Sequence, residues 1–264
     1  MTKRITISTL DAMKASGDKF VMITAYDATF ARLASEAGAE TILVGDSLGM
    51  VLQGHETTIP VSLDAMVYHT ECVARAKPRS LIVADLPFMS FSNADDALHA
   101  STQLMQSGAQ MVKLEGGTWL SDSIHRLVER GVPVCAHLGL TPQSVNVFGG
   151  YRVQGRTPKE AKSILADAVE IQDAGASLLV LECIPAELAG DISSKLDIPV
   201  IGIGAGGGTD AQVLVLHDLL GMTESAPKFV QNFMQGADSI QDALAAFVRA
   251  VKSGEYPQEE HTYS

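Results

Sequence analysis

Basic residues are scarce in this chain of 264 residues. Lysine and arginine together number 19, against 31 aspartate and glutamate residues, which gives a formal net charge of −12. A broad positive surface is therefore not expected, and neither is binding to nucleic acid or to an anionic membrane. An anionic small substrate remains possible, but local groups would have to hold it because the overall field repels it.

Cysteines and long apolar runs are also few. The three cysteines, Cys72, Cys135 and Cys183, lie far apart and form no C-x-x-C pair. Neither a disulfide framework nor a structural zinc site is expected, and a reducing compartment fits. No stretch approaches the ~20 apolar residues of a membrane span, and the N-terminal sequence MTKRITISTLDAMK lacks the apolar core of a signal peptide. These absences predict a cytoplasmic protein that does not associate with membranes.

Short apolar runs rich in Val, Ile and Leu recur along the chain, with amphipathic segments such as DATFARLASEAG between them. Nearly continuous hydrophobicity is typical of parallel strands that are buried on both faces. Eight such runs in about 250 residues predict a (β/α)8 TIM barrel that forms a single domain over residues 1–264. An open doubly wound sheet is the alternative. The predicted strands are 20–25, 41–46, 80–85, 110–115, 132–138, 177–182, 198–204 and 213–217.

Several connections in this barrel have their own sequence signals. The seventh crossover is short, since only GGGTDAQ separates strands seven and eight, and a leading helix near 8–15 is predicted to cover the bottom of the barrel. Glycines at the ends of four predicted helices occupy the position of a left-handed C-terminal cap; they are Gly38, Gly108, Gly131 and Gly175. Two long connections, 47–61 and 138–156, follow strand ends and are expected to overhang the mouth.

Charged and polar residues lie at the ends of the predicted strands two to six. In a barrel these ends converge on one face, where active sites form. Four carboxylates with only one lysine need a further cation, because like charges raise each other's pKa, and magnesium suits oxygen ligands. Simpler interpretations are an N-cap for Asp85, a solvated turn for Glu115 and, for His137, a core histidine with satisfied hydrogen bonds. The converging residues are Asp46, Ser47, Asp85, Lys113, Glu115, His137 and Glu182.

Two further motifs suggest other functions. Residues 45–49 match the G-x-S-x-G pattern of serine hydrolases, with Asp85 and His137 following in order. The segment after Ser47, however, contains Pro60 and no helical periodicity, whereas a nucleophile elbow turns directly into a helix. The glycine-rich GIGAGGG at 202–208 resembles a phosphate cradle, although close backbone packing explains it more simply. A barrel that binds ligands without catalysis is a third possibility.

Longer motifs resemble one enzyme family along nearly the whole chain. TAYDATFARLASEAG, LVGDSLGMVLQGHETTIPV, ADLPFMSF, MVKLEGG, VPVCAHLGLTPQSVNVFGGYRVQGR and LLVLECIP are similar to the ketopantoate hydroxymethyltransferase family. The resemblance implies a (β/α)8 barrel that catalyses the first committed step of pantothenate synthesis. The implied reaction is transfer of a one-carbon unit from 5,10-methylenetetrahydrofolate to 3-methyl-2-oxobutanoate (α-ketoisovalerate), giving 2-dehydropantoate.

The resemblance also implies roles for the residues at the strand ends. Asp46, Asp85 and Glu115 resemble the family's Mg²⁺ ligands, with one ion per subunit, and Glu182 resembles its proton acceptor. The implied contacts to the keto acid are Asp46, Ser47, Asp85, Lys113 and His137, of which His137 is the least defined. A homodecamer is implied as well. After GIGAG this chain has Ala211 where relatives often have glycine, which leaves the detail of the seventh crossover open.

Overall fold

The computed structural model describes residues 4–264. Residues 1–3, which the single-domain prediction also covers, lie outside the described residues. Within that range, eight parallel strands form a closed barrel in which each strand pairs with the next and β8 pairs with β1. The (β/α)8 barrel is therefore confirmed, and the open sheet is wrong. The strands are β1 (Phe20–Thr24), β2 (Thr41–Val44), β3 (Leu81–Asp85), β4 (Met111–Glu115), β5 (Val134–Gly139), β6 (Leu178–Glu182), β7 (Val200–Ile203) and β8 (Ala211–Leu214).

Helices surround this barrel and are fixed at their ends by local sequence. Asp27 accepts hydrogen bonds from the backbone N–H groups of Thr29 and Phe30, so the second helix begins there. Thr157 and Glu160 form a capping box at the start of the longest helix, α8. The helices are α1 (Ile7–Ser16), α2 (Ala28–Ala37), α3 (Leu48–Val51), α4 (Leu63–Arg75), α5 (Ala94–Gln106), α6 (Ser121–Glu129), α7 (Val145–Phe148), α8 (Pro158–Asp173), α9 (Ala186–Lys195), α10 (Leu216–Leu219) and α11 (Ile240–Ser253).

The last strand lies earlier than the sequence predicts. The apolar run 213–217 indicated β8, but the strand spans Ala211–Leu214, and Leu216 begins α10. Pairing fixes the position, because Ala211 lies opposite both Phe20 of β1 and Ile201 of β7. Beyond the strand, the backbone N–H of Leu216 donates to Thr24 Oγ1 over 2.8 Å and turns the chain into the helix.

The bottom of the barrel is closed as predicted. Helix α1 lies there, and its Lys14 donates to Asp210 Oδ2 over 2.7 Å and to the carbonyl of Ser193 over 2.9 Å. Asp210 also accepts the backbone N–H of Val200 over 2.8 Å, which ties the helix to the start of β7. Residues 204–210, which connect β7 to β8 in the described chain, contain no helix, so the short seventh crossover is confirmed.

Glycine and cysteine residues agree with their predicted structural roles. The four glycines at helix ends have φ between 80° and 113°, in the left-handed region. A Cβ on Gly206 would lie 2.5 Å from Ala186 Cβ, so the glycine-rich segment allows close packing, as the simpler interpretation held. The three cysteines are free thiols. Within residues 4–264, no helix is long and apolar enough to cross a bilayer.

Candidate active site

Strand register brings the predicted site residues into one row at the carboxyl ends of β3 to β6. Asp85 ends β3 and lies beside Lys113 of β4. Glu115 ends β4 and lies beside His137 of β5, while Glu182 ends β6 and lies beside Gly139, two residues beyond that histidine. Residues two apart on a strand share a face. Because the barrel places the ends of neighbouring strands side by side, the polar residues at those ends form a row.

Lys113 has a direct charged partner in the interior. Its Nζ lies 2.6 Å from Asp85 Oδ1 and 4.0 Å from Glu115 Oε1, and all three side chains are only 4% exposed. Burial acts to lower the pKa of Lys113, but the neighbouring carboxylates outweigh burial and raise the pKa overall. Lys113 is thus a buried ammonium group. Asp85 serves as its counterion and is not the N-cap that the simpler interpretation proposed, since Asn93 caps α5.

Asp46 joins this row from the loop after β2. Its backbone N–H donates to Asp85 Oδ2 over 3.0 Å, and its own Oδ2 accepts from Gln143 Nε2 over 2.9 Å. The backbone N–H of Gln143 also donates to Glu115 Oε2 over 3.0 Å. Sequence analysis did not identify Gln143, which lies four residues beyond β5 on one of the long connections. Glu115 is buried, so the solvated-turn interpretation is wrong.

His137 lies between two carboxylates. Its Nδ1 is 3.3 Å from Glu115 Oε1, and its Nε2 is 3.3 Å from Glu182 Oε2. Neither ring nitrogen forms a hydrogen bond with a described residue. His137 is therefore not a core histidine with satisfied hydrogen bonds. Burial, reinforced by the charge of Lys113, lowers its pKa. Glu182 is more open than its neighbours, with 16% of its side chain exposed.

Ser47 contacts a tyrosine. Its Oγ lies 2.9 Å from the hydroxyl of Tyr26, a buried residue just after β1 that sequence analysis also missed. The hydrolase argument was wrong in one respect, because helix α3 does follow Ser47 immediately. A nucleophile elbow nevertheless places its serine in a strained turn, whereas Ser47 has ordinary helical angles of φ −51° and ψ −20°. The structure gives no support to the serine hydrolase.

The site has more negative than positive charge. Burial, and then the charges of Asp85 and Glu115, raise the pKa of Asp46 well above its usual range. Burial likewise raises the pKa of Glu115 to about 7. Among residues 4–264, no group of three or more His, Cys, Asp or Glu side chains is placed so that it could hold a metal ion. The buried carboxylate oxygens are nevertheless the type of donor that a hard divalent cation such as Mg²⁺ takes, with water and substrate completing its shell.

The two long connections meet above these residues, as predicted. Tyr151 on the second connection places its hydroxyl 3.4 Å from Met50 Sδ on the first. Gln143 reaches from the same connection to Asp46. On the neighbouring loops, Trp119 stacks on Phe91 with ring centroids 6.1 Å apart. Large apolar side chains are thus exposed around the mouth; they are Met50, Leu52, Phe88, Met89, Trp119, Val147 and Tyr151.

A closed parallel barrel with carboxylates and a lysine at its carboxyl-terminal face defines an enzyme of the TIM-barrel class. A sequence model described as "Ketopantoate hydroxymethyltransferase" matches residues 4–259. The "3-methyl-2-oxobutanoate hydroxymethyltransferase 2" of Pseudomonas entomophila is 57% identical over 262 residues, which cover 98% of each chain. The chain belongs to the ketopantoate hydroxymethyltransferase family and is a hydroxymethyltransferase.

Other similar proteins extend the comparison. The "3-methyl-2-oxobutanoate hydroxymethyltransferase" of Marinobacter nauticus is 57% identical over 260 residues, again with 98% of each chain covered. Among solved structures, a putative phosphonomutase from Burkholderia cenocepacia matches with a TM-score of 0.63. The match covers 82% of this chain and 95% of the phosphonomutase chain, at 17% identity. At that identity the likeness concerns the fold alone.

Proposed function

We propose that this enzyme transfers a hydroxymethyl group from 5,10-methylenetetrahydrofolate to 3-methyl-2-oxobutanoate and so forms 2-dehydropantoate, the first step of pantothenate and coenzyme A synthesis. The names of the relatives support the keto acid as substrate. The observation that carries the chemistry is the buried row in which Lys113, Glu115, His137 and Glu182 follow one another at the barrel mouth. Such a row offers an anion partner and a base within one small volume.

Lys113 is the proposed partner of the substrate carboxylate. An ammonium group has three N–H donors, and Asp85 takes one of them at 2.6 Å. Glu115, at 4.0 Å, is beyond hydrogen-bonding distance, so two donors remain for an incoming anion. The Ser47 hydroxyl, held by Tyr26, is a further proposed contact, with Asp46, Asp85 and His137 lining the same volume. A local cation of this kind is required because the protein as a whole is negative.

Magnesium is the proposed cofactor, with one ion per subunit. Asp46, Asp85 and Glu115 would hold it, since three carboxyl groups surround the single ammonium group of Lys113, and burial with repulsion from neighbouring carboxylates raises the pKa values of Asp46 and Glu115. When bound, Mg²⁺ supplies Lewis-acid stabilisation of the charge that develops on the keto oxygen. Manganese and cobalt accept the same ligands, so the donor set alone does not select one of the three.

Glu182 is the proposed base that removes the proton from C3 of the keto acid. Burial raises the pKa of its carboxyl group, and His137 partly opposes that rise. A raised pKa makes the carboxylate a stronger proton acceptor near neutral pH. The new carbon–carbon bond then forms between C3 and the methylene carbon of the folate. The two bonds from that carbon to the folate nitrogens break, water supplies the hydroxyl group, and the protons released from C3 and from water complete the tetrahydrofolate that leaves.

Hydrogen exchange at C3 tests the proposal without the folate. The enzyme is incubated with 3-methyl-2-oxobutanoate and Mg²⁺ in D₂O, and loss of the C3 proton signal is followed by NMR. We expect rapid exchange with the unsubstituted protein, and loss of exchange with Glu182→Gln or with excess EDTA. Glu129→Gln is the matched control, because Glu129 is exposed at the far end of α6. Exchange that continues at the full rate in Glu182→Gln would remove Glu182 as the base.

Two further properties belong to this proposal. A homodecamer is proposed from the family resemblance alone, and sedimentation of the purified protein measures the mass directly. A cytoplasmic location is proposed from the composition, and cell fractionation checks it. Neither property enters the chemistry above. The proposed partners remain small molecules, namely the keto acid and the folate, and not nucleic acid or membrane.

A further inference from the structure

Gln143 contacts three separate strand ends at once. Its side-chain amide nitrogen donates to Asp46 Oδ2 and to the carbonyl of Leu86, both over 2.9 Å. Its backbone N–H donates to Glu115 Oε2 over 3.0 Å. The residue is 6% exposed and lies in a short turn, Pro142–Ser144, that begins the connection from β5 to α8. One residue therefore connects the loops after β2 and β3 with the end of β4.

These contacts leave the amide group little freedom. A carbonyl oxygen only accepts hydrogen bonds, so the amide nitrogen and not its oxygen must face Leu86. Both N–H groups are then in use, one on the carbonyl of Leu86 and one on Asp46. The uncharged backbone carbonyl of Leu86 determines the orientation of the Gln143 amide group. The N–H group that donates to Asp46 is therefore held in place independently of the Asp46 carboxylate.

We propose that Gln143 is the positioning residue that sets the relative placement of the Asp46 and Glu115 carboxylates for a divalent cation. The inference rests on the proposed function, in which these two carboxylates bind Mg²⁺. Gln143 occupies one oxygen on each carboxylate, Oδ2 of Asp46 and Oε2 of Glu115. The other oxygen of each group accepts no hydrogen bond from a described residue, and that of Glu115, Oε1, lies 3.3 Å from His137 Nδ1 and 4.0 Å from Lys113 Nζ. Partners of this kind orient metal ligands, and their loss lowers metal affinity by roughly 10- to 100-fold.

The chain offers a matched control in Gln212. This glutamine of β8 is 4% exposed, and its amide nitrogen donates to the carbonyl of Gly206 over 3.0 Å and to Thr209 Oγ1 over 2.9 Å. Gln143→Leu and Gln212→Leu therefore each remove two donated bonds from similarly buried sites. Of these two glutamines, Gln143 contacts a proposed metal ligand and Gln212 does not. A general loss of stability should therefore weaken metal binding in both variants, whereas a loss of ligand positioning should weaken it in Gln143→Leu alone.

Manganese binding to the full chain provides a measurement that does not depend on activity. Free Mn²⁺ is measured by electron paramagnetic resonance during titration of each protein. We expect roughly 10- to 100-fold weaker binding in Gln143→Leu, and binding by Gln212→Leu close to that of the unsubstituted protein. In the activity assay, Gln143→Leu should need more Mg²⁺ for half-maximal rate, with kcat nearly recovered at saturating Mg²⁺. Should the leucine variant fail to fold, Gln143→Met repeats the test with a flexible side chain of similar length.

The outcomes separate this inference from the proposed function. If the unsubstituted protein binds Mn²⁺ and Gln143→Leu binds it equally well, Gln143 is not a positioning residue. Equal losses in both leucine variants would also overturn the inference, because they would indicate a stability effect. If the unsubstituted protein itself binds no Mn²⁺, the metal part of the proposed function fails first, and this inference fails with it.

Discussion

Replacement of Lys113 by methionine tests the electrostatics of the site most directly. Methionine has a similar length and no charge, so the variant keeps most of the packing and removes the ammonium group. Lys113 and Asp85 are both 4% exposed, with Nζ and Oδ1 2.6 Å apart. Without Lys113, the buried carboxylates of Asp85 and Glu115 would lose the ammonium group that lies beside both of them.

The expected loss in free energy of unfolding is large. Removal of one partner from a buried ion pair costs about 3–5 kcal/mol, because the other charge remains buried without compensation. A domain has a total stability of about 5–15 kcal/mol, so Lys113→Met should lose about a fifth of it or more. The double variant Lys113→Met/Asp85→Asn should be less affected than the sum of the single changes, since the stranded charge is removed too. The amide oxygen that Asp85→Asn introduces can still accept the backbone N–H of Asp46, as the carboxylate of Asp85 does now.

Urea unfolding in EDTA at pH 8, followed by circular dichroism, measures the four members of this double-mutant cycle. The coupling energy between the two positions should be at least ~2 kcal/mol, toward the upper part of the range for contacting residues. Arg75→Met is the control; its partner Glu71 is exposed, and such a pair contributes about 1 kcal/mol or less. Additive losses at Lys113 and Asp85 would refute the reasoning, because they would mean that the two charges do not depend on each other.

Two further predictions concern single groups of the site. In EDTA, the free energy of unfolding should fall by up to about 3 kcal/mol as pH rises from 4.5 to about 7, because burial raises the pKa of Glu115 to about 7 and the folded protein holds that proton more tightly than the unfolded chain. Glu115→Gln should flatten this slope, measured by urea unfolding across the pH range, and an unchanged slope would contradict the assignment. Tyr26→Phe removes the hydroxyl 2.9 Å from Ser47 Oγ and should raise KM for the keto acid with a smaller effect on kcat in steady-state assays. Tyr68→Phe, at an exposed tyrosine, is the control. Equal KM values in the two variants would mean that the contact between Tyr26 and Ser47 does not contribute to substrate binding.

Much of the barrel could be predicted because its strands are buried on both faces. Runs of Val, Ile and Leu indicate such strands without any knowledge of their partners, and β1 to β7 each lie within their predicted ranges or extend one residue beyond. The eighth strand shows where the signal ends. VLVL at 213–216 is continuously apolar, so the sequence cannot distinguish residues that pair with β1 from those that enter α10. Pairing partners decided the question, and they are distant in sequence.

The site was predictable to the extent that strand ends determine it. Asp85, Glu115 and Glu182 are each the final residue of a strand, and parallel strands in a barrel bring these positions together. Tyr26, two residues after β1, could have been found by the same argument. Gln143 could not, because it lies in a turn after β5 and its role depends on contacts with Asp46 and Leu86, which are 97 and 57 residues away. No periodicity encodes contacts of that kind.

The arrangement of charge explains why a bound cation would stabilise this site. A protein that only had to fold would match each buried carboxylate with a cation or replace it with an apolar side chain, since isolated buried charge is costly. Here Lys113 has three acidic neighbours, and burial together with nearby carboxylates raises the pKa values of Asp46 and Glu115. These unfavourable interactions lie at the mouth, where a divalent cation would relieve them. Binding affinity for that cation and lower stability of the metal-free protein would then be two consequences of the same excess of carboxylates.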